Sequence, residues 1–130
     1  MIHLFIIDKD RYLGETMTAV LSGEPDFIVV GTAVSVAEAL PHIGDCDVIL
    51  VTADLPCDGV LQLARAASAL SQGPQVVLMD WARTQDAFLQ YAAAGVAAYA
   101  AEDDSLDELL TKMRELQEGK RLETLEFNVG

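Results

Sequence analysis

Residues 49–59 read ILVTADLPCDG, an apolar run that ends at Thr52 and continues through Asp54, Pro56, Asp58 and Gly59. One hydroxyl and two carboxylates therefore stand where a buried strand passes into a polar turn. In α/β proteins chemistry collects just outside the carboxyl ends of the strands. The stretch asks whether Thr52, Asp54 or Asp58 is a working residue, or whether a carboxylate that should be there has been lost. Other reactive types are sparse. Cys46 and Cys57 are the only cysteines and form no CxxC pair, which points to two reduced, largely buried thiols and not to a disulfide or metal site. His3 and His42 stand apart from any ligand-like cluster. Neither a resident metal nor a cofactor is expected.

The elements that must position these groups follow from periodicity. Short β-branched runs at 2–7, 27–34, 47–52, 75–79 and 96–101 read as strands, the last weakened by its alanines. Between them, 11–23, 35–43, 59–73, 84–95 and 105–119 carry apolar residues at helical spacing; in the last, Leu106, Leu109, Leu110, Met113 and Leu116 form one stripe. Ser35 and Glu38 have capping-box spacing, Pro41 should bend or shorten its helix, and Gly23 and Gly95 suit helix ends. The third strand is apolar almost throughout, as a central parallel strand covered on both faces would be. Five βα units predict a doubly wound, five-stranded parallel sheet in one domain over 1–120, with 121–130 as a tail or linker stub.

Eight basic against twenty-one acidic residues give a formal charge of -13. That balance opposes direct nucleic-acid binding, which rests on neutralising phosphates, and opposes attraction to anionic membrane. The opening MIHLFIID lacks the basic start of a signal peptide, and no apolar stretch approaches the ~20 residues that span a bilayer. A cytoplasmic protein is expected.

Four landmarks in order, FIIDKD, DVILVTADLPCDG, PQVVLMDWA and AAAGVAAYAAEDDSLDELLTKM, make residues 2–120 resemble the receiver domain of bacterial response regulators, especially receivers that precede a LuxR-type helix-turn-helix. The resemblance implies a non-enzymatic flavodoxin-like signalling module, an α/β sheet with strand order 2-1-3-4-5. In that family, a strand-three aspartate accepts a phosphoryl group, and two acids after strand one help it hold Mg²⁺. A Thr or Ser after strand four and a Lys after strand five contact the phosphoryl oxygens. Counted back from Pro56, the acceptor position falls on Thr52, the acid pair on Asp8 and Lys9, the Thr/Ser position on Asp80 and the Lys position on Glu102. Only Asp8 keeps the expected chemistry. A hydroxyl without a base is a weak nucleophile and a poor magnesium ligand.

The resemblance with these departures implies a degenerate receiver that regulates transcription without Mg²⁺-dependent aspartyl phosphorylation, with the DNA-binding part outside this chain. A rival is a phosphoryl-accepting receiver that uses Asp54 or Asp10 in a shifted register. That slip moves the side chain about 6–7 Å along the strand and repairs neither Asp80 nor Glu102. A second rival is a small-ligand-binding flavodoxin-like domain, which lacks a glycine-rich phosphate cradle here. The substitutions predict a metal-free ion cluster of Lys9 with Asp8, Asp80 or Glu102, against the plainer reading of solvated loop residues. Thr52 is expected to satisfy a neighbouring backbone group. Trp81 and Tyr99 occupy the positions of the mobile loop and the switch aromatic, with core packing as the plainer role. Phe88, Leu89 and Tyr91 mark a face of helix four, strand five and helix five for a protein partner, an output domain or a homodimer.

Overall fold

The computed structural model describes the backbone of residues 1–52, 57–79, 85–101 and 104–129, and the side chains of these except 57–58, 85–88 and 120–129. In chain order the elements are β1 (Ile2–Ile7), α1 (Arg11–Leu21), β2 (Phe27–Ala33), α2 (Val36–Ala39), a 3₁₀ helix (Leu40–Asp45), β3 (Val48–Thr52), α3 (Cys57–Ala69), β4 (Gln75–Met79), α4 (Gln85–Ala94), β5 (Val96–Ala100) and α5 (Leu106–Val129). The strands form one parallel sheet of order β2-β1-β3-β4-β5. This is the predicted doubly wound architecture.

Side-chain alternation builds two cores, one on each sheet face. All five residues of β3 are buried. Ile49 and Val51 join Val60, Leu63, Ala64 and Tyr91 on one face, and Val48 and Leu50 join Leu21, Leu109, Leu110 and Met113 on the other. Burying a side chain of this size stabilises the fold by about 1.5–3 kcal/mol.

The helix boundaries carry local chemistry. Ser35 Oγ accepts from the Glu38 amide (3.2 Å), and Glu38 Oε2 accepts from the Val34 amide (2.9 Å), so the capping residues are those expected. Pro41 does end α2 early, because the chain tightens to 3₁₀ geometry from Leu40 onward. Gly95 closes α4 at φ +110°, and a Cβ there would collide with Ser68 Oγ. Only glycine meets both conditions.

One expectation needs revision. The helix predicted over 105–119 runs on to Val129, so Gly119 is accommodated inside a helix and 121–129 continues it. A single glycine costs a helix only about 1 kcal/mol. Toward the amino ends of the strands, α5 is tied down by Arg114, which donates to both carboxylate oxygens of Asp26 (2.7 and 2.9 Å) and lies 5.4 Å from the Phe27 ring centroid. Gln117 adds hydrogen bonds to the Asp47 carbonyl (3.2 Å) and Gln75 Oε1 (3.1 Å).

Candidate functional site

Strand order reverses about β1, whose neighbours are β2 and β3, so the crevice at its carboxyl end is where such sheets place function. Ile7 pairs with Val51, which makes Asp8 and Thr52 the next residues on adjacent strands. By alternation both follow the register of Ile6 and Leu50, on the α1/α5 face. Among the described residues, the buried polar or charged side chains are Asp8, 6% exposed, and Thr52, 3% exposed. Two such groups side by side at a strand-end crevice mark the candidate site.

The local sequence explains how Asp8 is held. Its amide donates to the Ala33 carbonyl (3.0 Å), and its Oδ1 accepts from the Asp10 amide (2.9 Å). Asp10 is the N-cap of α1, with its Oδ1 accepting from the amides of Tyr12 (2.9 Å) and Leu13 (3.4 Å). Gly14 is buried in the first turns of α1, where an added Cβ would lie 3.7 Å from that of Asp8. The helix therefore begins directly over the carboxylate.

Thr52 departs from expectation. Its Oγ1 is buried with no hydrogen-bond partner, and it does not satisfy a neighbouring backbone group. Leaving such a group unpaired costs about 1–3 kcal/mol. Lys9 is exposed and lines an open depression of about 520 Å³ with Asp8, Asp10, Arg11 and Leu13. Among the described residues Lys9 forms no ion pair, so the expected contact with Asp8 is not made. Asp80, Glu102, Trp81 and Asp54 lie outside the described residues, as does the side chain of Phe88.

Magnesium favours octahedral oxygen ligands, usually including one or two carboxylates. The described residues at this corner offer the Asp8 carboxylate, already accepting from an amide, and the Asp10 carboxylate, engaged in capping α1, beside a threonine hydroxyl and the Lys9 ammonium. They contain no grouping of three His, Cys, Asp or Glu side chains able to hold a metal. Cys46 offers no alternative nucleophile: burial, with the Asp47 and Asp45 charges adding to it, pushes its thiol up to about 12.

Of the partner-face residues, Leu89 is 56% exposed, whereas Tyr91 is buried in the core with α3. Helical spacing turns Tyr91 inward and removes it from a docking surface. Tyr99 is half-buried against the same core, and burial pushes its hydroxyl pKa up.

The corner after β5 holds a feature absent from the sequence reading. Lys112 of α5 donates to the Tyr99 carbonyl (2.8 Å) and to Asp104 Oδ2 (2.6 Å). The same Asp104 oxygen accepts from the Ala101 amide (3.0 Å). The signal was there: five acids occur from Glu102 to Glu108 with no base before Lys112.

Comparison with solved structures identifies the fold. The receiver domain of the response regulator NarL from Mycobacterium tuberculosis superposes with a TM-score of 0.80, at 22% identity, over 91% of this chain and 97% of that one. The fold is that of a response-regulator receiver domain. In sequence, the receiver-fold chain is 28% identical over 124 residues to the uncharacterized transcriptional regulatory protein YvfU of Bacillus subtilis, covering 94% of this chain and 62% of that protein. It is 24% identical over 124 residues to the DNA-binding transcriptional activator DevR/DosR of M. tuberculosis, covering 94% and 57%. The chain thus spans about three-fifths of the length of these curated relatives. No protein-family model matches it. No helix among the described residues is long and apolar enough to cross a membrane.

Proposed function

We propose that this chain is a non-enzymatic receiver module that takes part in transcriptional regulation through a protein partner or output domain, without Mg²⁺-dependent aspartyl phosphorylation. The observation that carries the reading is Thr52: a buried, unpartnered hydroxyl stands beside Asp8 at the strand-end crevice, with Lys9 next in sequence. No described group sits within hydrogen-bonding distance of that hydroxyl to remove its proton, so it is a poor phosphoryl acceptor. Asp10, a rival acceptor, is occupied as the cap of α1. A cytoplasmic, LuxR-type regulator acting as a homodimer is the setting that best suits such a module. The relatives YvfU and DevR/DosR, both named as transcriptional regulators, support the regulatory part.

The test is intact-mass spectrometry after incubation with acetyl phosphate and Mg²⁺, with Thr52→Asp in parallel. Wild type is expected to stay unmodified. A hydroxylamine-sensitive phosphoryl adduct on wild type would show that another carboxylate, with Asp54 the first candidate, has taken over. If Thr52→Asp also stays inert, the loss extends beyond the acceptor, to Lys9, Asp80 and Glu102.

A further inference from the structure

We propose that Lys112 is a built-in strut that holds the β5–α5 corner in one conformation, so that this face is set from within the domain and not by chemistry at Asp8 and Thr52. The inference deepens the reading of a module that signals without phosphoryl transfer, and rests on it. Four observations carry it. The ammonium makes two short contacts at once, to the Tyr99 carbonyl at 2.8 Å and to Asp104 Oδ2 at 2.6 Å, and so ties α5 to β5 and to Asp104. Asp104, whose side chain is 16% exposed, is itself fixed by two bonds to Ala101, accepting from its amide and donating its own amide to that carbonyl (3.0 Å each).

The helix that supplies Lys112 is anchored on both sides of it, since Leu109, Leu110 and Met113 are buried beneath the sheet face. The strand end it grips belongs to a residue whose ring is packed on the opposite core, so Tyr99 is held from both faces of the sheet. Charge makes the arrangement specific. An ammonium between a carboxylate and a carbonyl, partly shielded from water, forms stronger hydrogen bonds than a neutral donor would. In an acidic stretch with no other base from Glu102 to Thr111, the corner has no substitute donor of that charge nearby in sequence.

The experiment is residue-resolved amide hydrogen exchange on the full chain, comparing wild type with Lys112→Met and Lys112→Arg. In wild type the Ala101 and Asp104 amides are expected to be protected. Lys112→Met should speed exchange at these two amides about tenfold or more, while Ile6 and Leu50 in the central strands change far less. Lys112→Arg should restore part of the protection. Should Lys112→Met fail to fold, Lys112→Gln is the second variant, with the same expected pattern. Equal acceleration at every amide, or none at the corner, would overturn the strut.

A last arm adds acetyl phosphate and Mg²⁺ to wild type, with intact mass read on the same sample. A mass gain would overturn the phosphorylation-free reading while leaving the Lys112→Met comparison to judge the strut on its own. Changed protection at Ala101 and Asp104 in that arm would overturn the independence of the corner.

Discussion

The two ends of the sheet differ at one buried polar group. At the amino end, the His3 amide donates to Asp47 Oδ2 (2.8 Å), His3 Nδ1 lies 3.1 Å from the same oxygen, and the Asp47 amide returns a bond to the His3 carbonyl (2.7 Å). The Gln75 amide and Gln117 Nε2 both donate to the Asp47 carbonyl. At the carboxyl end, Asp8 accepts from the Asp10 amide and Lys112 ties the end of β5 to Asp104, but the Thr52 hydroxyl beside Asp8 is buried with nothing to bond. A buried unsatisfied group costs stability, and Thr52 carries one where α/β sheets concentrate their sites.

The sharpest way to break this contrast is to replace a polar side chain by an apolar one at each end and compare signs. Asp47→Ala removes the acceptor of the His3 amide and the neighbour of its imidazole. It should lower stability by about 1–2 kcal/mol, the lower half of the usual cost of losing a charged acceptor because Asp47 is partly in solvent. Thr52→Val should do the reverse, since it removes an unpaired hydroxyl while keeping a β-branched shape. Stability is expected to rise by about 1 kcal/mol, read as a higher urea midpoint at unchanged slope. A loss of 1 kcal/mol or more in Thr52→Val would mean that the hydroxyl is paired in solution, and the contrast between the two ends would fall.

What the sequence made legible follows the same division. The near-continuous apolar run VILVT marked β3 as a centre covered on both faces, because a strand exposed on one face would alternate with polar residues. Counting back from Pro56 put Thr52 at the strand end beside Asp8, and the register of Ile7 with Val51 places the two together. Hydrogen bonding was less legible. Thr52 was expected to find a backbone partner because most buried hydroxyls do, and its failure depends on the surroundings of a single atom. Tyr91 looked like part of a surface because α4 is apolar on several sides, and only the packed core shows which side faces inward. The Lys112 contacts join α5 to the end of β5, so strand and helix patterns read one element at a time could not reveal them.

The smallest expected effect concerns α5, which carries a cation to a carboxylate at each end of the sheet. Hydrogen bonds from Arg114 hold the Asp26 carboxyl below the usual carboxylate range, and those from Lys112, followed by the Ala101 amide, do the same for Asp104. Below the ordinary carboxylate pKa, near pH 4, the unfolded chain therefore binds protons at these two positions before the folded chain does. Their contribution to stability is present above that pH and is lost as pH falls through the lowered folded values. Urea midpoints measured from pH 6 down to pH 2.5 should fall at the acid end. Asp26→Asn and Asp104→Asn should each flatten that fall, and added salt should shrink the effect because both carboxylates are in contact with water. If Asp26→Asn flattens the acid arm while Asp104→Asn leaves it unchanged, α5 is held by ion pairing at the amino end alone. The carboxyl end would then lack its ionic tie as well as a partner for Thr52, and the difference between the two ends would be wider than the structure alone implies.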